Sequence, residues 1–165
     1  MVRAYMSLGS NIEPRREHLS AALRALGQGL GLAAVSHLYE TEPVDVLDQA
    51  WFLNLAVALD TDLQPLALLK AMQAIEAQAG KKVLFRRGPR TLDLDLLLYG
   101  DSVLQTESLT LPHPKMLERE FVLRPLCDIA PEARHPLAGA SAAQLLERLP
   151  KGGPVVRDLG TLDEV

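Results

Sequence analysis

The order of periodic segments along this chain, strand, helix, strand, strand, helix, strand, predicts an α+β protein on the split βαβ plan of ferredoxin-like folds, βαββαβ. Three observations carry that prediction. A proline stands near the start of both helical segments, the strand segments alternate with a period of two, and 165 residues can bury about 70% of the unfolded surface around one core. Right-handed crossovers then place the first and third strands in the centre and both helices on one face. Two apolar runs nearer the C-terminus read as helices that cover the other face, giving a three-layer αβα arrangement in a single domain over residues 1–165.

Each element has its own signal. Arg3 to Leu8 is a short strand with Val2, Ala4, Met6 and Leu8 on one side, ending in Gly9-Ser10-Asn11, a turn and helix-start signal. Pro14 stands in the first turn of a helix whose Leu19, Ala22, Leu23 and Leu26 recur at helical spacing until Gly27 and Gly29 break it. Leu32 to Tyr39 reads as a second strand, in which His37 is packed or on the surface rather than a metal ligand. Thr41 to Gln49 carries a proline and three acids without periodicity, so it is a loop, either a functional lid or plain surface. Trp51 to Asp60 alternates, with Trp51, Leu53, Leu55, Val57 and Leu59 on one face and Phe52, Asn54, Ala56 and Ala58 on the other. Asn54 is the anomaly there: a buried amide needs partners, either a neighbouring loop backbone or the edge of a planar heterocycle.

Pro65 opens the second helix, with Leu66, Leu69, Met72 and Ile75 at helical spacing and Gly80 at its stop. Gln73 and Glu76 share another stripe, fit either to hold a ribose or base or simply to be solvated. Beyond residue 100, Asp101-Ser102 marks a turn, Val103-Leu104 a short strand and Leu109 to Pro112 an extended piece. His113, between Pro112 and Pro114, cannot lie inside a helix and could complete an anion clamp with Arg119. Phe121 to Ile129 and Ser141 to Leu149 are the C-terminal helices, the latter capped by Ser141, and residues 151–165 form a loosely attached tail.

The chemistry concentrates in Gly88-Pro89-Arg90-Thr91-Leu92-Asp93-Leu94-Asp95, a turn feeding a strand. Alternation puts Asp93 and Asp95 on one face and Leu92, Leu94 and Leu96 on the other. At a spacing of about 6.6 Å and an effective dielectric near 20, the two carboxylates repel by about 2.5 kcal/mol, so a cation belongs between them. Paired carboxylates on a rigid strand suit Mg²⁺, which fills its remaining positions with water and substrate phosphates; the plain alternative is a solvated strand end with a salt bridge from Arg90. The basic run from Gly80 to Arg90 holds five of the seventeen positive charges, and its Arg86, Arg87 and Arg90 can fork onto phosphate oxygens.

Bulk properties narrow the partners. A formal charge of −4 with 48% apolar residues argues against disorder and against a general nucleic-acid footprint. The lone Cys127 excludes an intrachain disulfide and fits a reducing compartment, cytoplasm by default. No signal peptide is evident, and no apolar run approaches the ~18 residues of a membrane span. A soluble chain, without membrane or nucleic-acid partners, is expected.

Taken together, Ser7-Leu8-Gly9-Ser10-Asn11, Tyr39-Glu40-Thr41-Glu42-Pro43, Phe52-Leu53-Asn54 and the Gly88 to Asp95 string resemble the hydroxymethyldihydropterin pyrophosphokinase family of folate biosynthesis, and Pro112-His113 and Arg119 to Leu126 extend the likeness over nearly the whole chain. The resemblance implies a ferredoxin-like fold and transfer of the β,γ-pyrophosphoryl group of ATP to the hydroxymethyl oxygen of a reduced pterin, releasing AMP; a monomer is the default expectation, though sequence does not fix the oligomeric state. It implies that Asp93 and Asp95 hold two Mg²⁺ ions brought with ATP, with catalytic duties for Arg90, Asp95 and Lys81. Gln73, Glu76, Arg86, Arg90, Thr110, His113 and Arg119 would bind ATP. Gly9, Thr41, Val44, Phe52, Asn54 and Phe121 would bind the pterin, the two phenylalanines sandwiching it. The chain also lacks any Gly-x-x-x-x-Gly-Lys-Ser/Thr loop, so phosphates need metals and side chains instead of a backbone cradle. It departs from the family pattern at Glu42, Asp45, Lys81, Lys82, Arg87 and Ser108.

Two readings from other classes compete. A ferredoxin-like regulatory module would bind a small ligand without chemistry, and a metal-dependent phosphodiester hydrolase would use the same acid pair but leave Asn54 and Phe121 unexplained.

Overall fold

The computed structural model describes residues 1–43, 49–80 and 91–162. Strand β1 (Val2–Ser10) and strand β4 (Phe52–Thr61) lie side by side in the middle of a mixed-length antiparallel sheet. On the other side of β1 runs β5 (Asp93–Tyr99), while β2 (Leu32–Val35) and β3 (Tyr39–Thr41) both pair with β4. Helices α1 (Arg15–Gly27) and α2 (Pro65–Gln78) pack Leu19, Ala22, Leu26, Leu68, Met72 and Ile75 onto one sheet face, against Ala4, Met6, Leu8, Leu53, Leu55, Val57 and Leu59. Helices α3 (Glu120–Ile129) and α4 (Ala142–Glu147) cover the far half of the other face through Val122, Leu123, Leu126 and Leu145, over Ala56, Leu97 and Leu98. This is the expected three-layer α+β arrangement, with the first and third predicted strands central.

Four local expectations change. The second predicted strand is two, because one extra residue is inserted between Val35, opposite Val57, and Tyr39, opposite Asn54. Ser36 Oγ accepts the Ala56 N–H (2.8 Å) at that bulge, so the side-chain period slips by one: Leu38 joins the core, while Tyr39 and Thr41 turn to the face that bears Asn54. Ser10 and Asn11 do not start α1; Ser10 ends β1, and the Asn11 amide donates to Gln49 Oε1 (2.8 Å) and the Ala50 carbonyl (3.2 Å). On α2 the buried stripe is Leu68, Met72, Ile75 and Glu76, and Leu66 is 45% exposed; leucines at 66, 68 and 69 offer two stripes, and packing on the sheet selects the second. Trp51 precedes β4 rather than opening it, and packs against Arg157 instead of the core.

Within the described residues, the C-terminal tail is attached to the sheet through residues 155–162. Strand β8 (Val156–Asp158) extends the sheet beyond β3, with Thr41 opposite Val156 and Tyr39 opposite Asp158, and Leu162 is buried in the core. A two-stranded ribbon, β6 (Leu104–Gln105) with β7 (Thr110–Leu111), flanks β5, and the His113 N–H bonds the Leu97 carbonyl (2.9 Å). Gly31 is fixed by close approach: its φ is +76°, and a Cβ there would lie 1.8 Å from the Asp60 carbonyl oxygen. No helix among the described residues is long and apolar enough to cross a membrane.

Candidate active site

The half of the sheet face that α3 and α4 leave uncovered carries the polar residues. Register fixes them in rows, because directly opposed residues of antiparallel strands share a face. One row runs Tyr39, Asn54, Gly9, Asp93 across β3, β4, β1 and β5; the next runs Ala56, Ser7, Asp95. Thr41 opposes Phe52 one step further out. The sequence therefore brings the amide of Asn54 and the acid pair to one surface, two strands apart, with Gly9 between them.

Gly9 has no side chain because none fits: a Cβ would stand 2.8 Å from Asn54 Nδ2 and 3.5 Å from Phe52 Cδ1. Thr41 Oγ1 donates to Asn54 Oδ1, both residues being buried, so the amide is oriented with its nitrogen over Gly9. Among the described residues the partner of Asn54 is thus a side chain of β3. Phe52 is half-buried beside it.

Asp93 and Asp95 are both partly exposed at the start of β5, and the leucines between and beyond them are buried, as alternation requires. Glu76 of α2 is 9% exposed and its Oε2 accepts the backbone N–H of Leu94 (2.9 Å), the residue between the two acids. One oxygen of this residue therefore serves the aspartate strand itself, which the amphipathic pattern does not reveal. Gln73, one turn back, is exposed. His113 Nδ1 accepts the Lys115 N–H (3.2 Å), leaving Nε2 to carry the proton of the neutral ring, and Nε2 lies 3.7 Å from Asp95 Oδ1. Thr110 is half-buried on β7 just before it. Arg119 stands immediately before α3 and its guanidinium carbon lies 5.4 Å from the centre of the Phe121 ring.

Val44, Lys81, Arg86 and Arg90 lie outside the described residues, as do Asp45, Lys82 and Arg87. Their flanks do not: Thr91 Oγ1 donates to the Gly80 carbonyl (3.5 Å), so the residues on either side of the basic run meet within two residues of Asp93. Ser7, quoted in the Ser7 to Asn11 string but given no site role there, is 6% exposed and stands opposite Asp95. Its signal was available, a hydroxyl between Tyr5 and Gly9 on the strand face away from Ala4, Met6 and Leu8. Among the described residues no cluster of three or more His, Cys, Asp or Glu is placed to hold a metal. Two carboxylates alone fit a hard cation that keeps water and phosphate ligands.

An antiparallel sheet between two helical layers, with an oriented amide and an acid pair on the half-face that α3 and α4 leave, defines an α+β protein of ferredoxin-like plan with a candidate small-molecule site. The particular family follows from comparison. Residues 5–131 match the model of the 7,8-dihydro-6-hydroxymethylpterin-pyrophosphokinase (HPPK) family, and the chain belongs to that family. It is 46% identical over 157 residues to the 2-amino-4-hydroxy-6-hydroxymethyldihydropteridine pyrophosphokinase of Pseudomonas aeruginosa, covering 90% of this chain and 97% of that protein. The enzyme of the same name from Bacillus subtilis is 44% identical over 143 residues, with 86% of each covered. The folic acid synthesis protein fol1 of Schizosaccharomyces pombe is 43% identical over 152 residues, but the chain spans only 21% of its length. A crystal structure of Plasmodium falciparum HPPK-DHPS with SDX-DHP superposes at a TM-score of 0.70 over 90% of this chain and 43% of that one; at 18% identity it supports the fold.

Proposed function

We propose that this chain transfers the β,γ-pyrophosphoryl group of ATP to the hydroxymethyl oxygen of 6-hydroxymethyl-7,8-dihydropterin, releasing AMP, in the synthesis of tetrahydrofolate. The observation that carries this reading is the row Asn54, Gly9, Asp93, an oriented amide and an acid two strands apart on one sheet, a spacing suited to a heterocycle at one end and phosphates at the other. Asn54, oriented by Thr41, offers both donor and acceptor to the pterin edge, and Phe52 and Phe121 supply ring faces for stacking. Asp93 and Asp95 would hold two Mg²⁺ ions, which when bound neutralise phosphate charge and align donor with acceptor. His113 Nε2 and Arg119 are donors suited to phosphate oxygens, and Arg90, Arg86 and Lys81 belong to the basic run that ends next to the acid strand. Thr110, Gln73 and Glu76 would hold the rest of the nucleotide, Glu76 while also tethering Leu94.

The test is the identity of the nucleotide product. Incubation with ATP, Mg²⁺ and the pterin alcohol should give AMP in step with pterin diphosphate, and EDTA should stop it. ADP would indicate an ordinary kinase, ATP-independent cleavage of a phosphodiester a hydrolase, and no turnover despite pterin binding a regulatory module.

A further inference from the structure

On the opposite side of β3 and β4 from Asn54 lies a cluster that no step above uses. Arg15, at the start of α1, donates through Nη1 to Glu40 Oε2 (3.1 Å) and to the Trp51 carbonyl (2.9 Å), and through Nε to Glu13 (3.0 Å). Arg157 of β8 sits with Nη1 3.8 Å from the other oxygen, Glu40 Oε1, and with its guanidinium carbon 4.9 Å from the centre of the Trp51 ring. The four residues close a ring: Arg157 on Trp51, Trp51 on Arg15, Arg15 on Glu40, Glu40 on Arg157. The side chains of Glu40 and Arg15 are only 23% and 20% exposed, so their contacts are less screened than those of an ordinary surface pair.

The position of this ring gives it a consequence. Glu40 immediately precedes Thr41, and Trp51 immediately precedes Phe52, so each member on the core side is the chain neighbour of a residue on the ligand side. The same C-terminal segment also grips the chain at Glu42, whose N–H bonds the Val155 carbonyl (3.0 Å) while its Oε1 accepts the Val155 N–H (3.2 Å). Residues 155–157 thus hold the chain both before and after residues 44–48, and they lie beyond residue 131, where the family match ends.

We infer that Arg157 is a positioning residue for the pterin subsite, acting through Trp51 and Glu40 to hold Phe52 and Thr41 in place. The inference rests on the proposed function, since it assigns a ligand to that half of the site. With its side chain 60% exposed, Arg157 is not needed to fill the core, and R157A should keep the fold.

Trp51 is the sole tryptophan of the chain, so its emission reports directly on the contact. In the full chain, R157A should change that emission. Calorimetry with the pterin alcohol, in the presence of a non-hydrolysable ATP analogue and Mg²⁺, should show the dissociation constant rise about threefold to fivefold, the effect of losing an exposed cation–π contact. Affinity for the nucleotide analogue alone should stay within about twofold, and R157K, which keeps the cation over the ring, should recover most of the pterin affinity. Equal pterin binding by wild type and R157A overturns the inference while leaving the proposed function standing. So does an equal loss for both ligands with a lowered Tm, the mark of a merely structural role. Failure of the wild type to bind pterin at all overturns the proposed function, and this inference with it.

Discussion

An amide can read a heterocycle edge only if its oxygen and nitrogen are sorted before the ligand arrives, and at Asn54 the Thr41 hydroxyl does the sorting. Gly9 makes room for the result. Gly9→Ala would press a methyl group to 2.8 Å from Asn54 Nδ2, so it should lower stability by about 1–3 kcal/mol and weaken pterin binding, seen as a fall in Tm and a raised dissociation constant by calorimetry. The acids have the opposite character. Asp95→Asn removes one of two like charges whose repulsion is about 2.5 kcal/mol before solvent and counterions reduce it, so Tm should hold or rise slightly. AMP formation should nevertheless drop at least about a hundredfold, as when a charge-stabilising group is removed from a transition state. A variant that kept its rate would remove Asp95 from the chemistry. Both carboxylates were legible in the sequence because strand alternation alone fixes their face. The Thr41 contact was not, since the bulge at Ser36 that turns Thr41 to that face arises from a side-chain bond to Ala56, 20 positions away.

Between elements, the same limit shows in α2. Its period marked a helix, but three leucines in four positions left the rotation open, and only packing on the sheet decides that Glu76 points inward while Leu66 faces solvent. That rotation ties α2 to β5 through the Leu94 N–H, and it holds the aspartate strand at the point between its two acids. Glu76→Ala leaves a buried N–H unsatisfied and should cost about 1–3 kcal/mol; Glu76→Gln keeps an acceptor and should cost less than half as much, both read by denaturant unfolding. Hydrogen exchange at Leu94 should rise in the first variant and stay near wild type in the second. The C-terminal strand shows why the tail was misjudged. Val156–Asp158 has no signal of its own beyond Val156 and the Val155 before it, and its order comes from the edge that β3 offers.

Across the whole molecule, titration sets the range in which these layers stay packed. His135 sits in the connection between α3 and α4, 4% exposed, with Nδ1 accepting the N–H groups of Leu137 (3.2 Å) and Ala138 (2.9 Å), and burial holds its pKa below the ordinary 6.5. The unfolded chain takes up a proton there below about pH 6.5 while the folded one resists it, so stability is present above that value and is lost as pH falls toward the lowered folded pKa. Asp158 acts in the same direction but later: the Gly160 N–H and then His37 hold its carboxyl below the ordinary 3.8, so its contribution is present above that value and disappears at lower pH. Tyr39 closes the other side, since burial and then Asp128 raise its hydroxyl above the ordinary 10, and stability present below pH 10 is lost as pH rises past it. Tm plotted against pH should therefore fall from pH 7 to 5, and His135→Asn, whose Oδ1 can still accept a backbone N–H, should flatten that slope. Tyr39→Phe should flatten only the alkaline limb. An unchanged acid slope in His135→Asn would place the acid-sensitive group elsewhere, and hydrogen exchange at pH 5 that rose first in β1 and β5 instead of α3 and α4 would show that the helical layer is not the part that loosens.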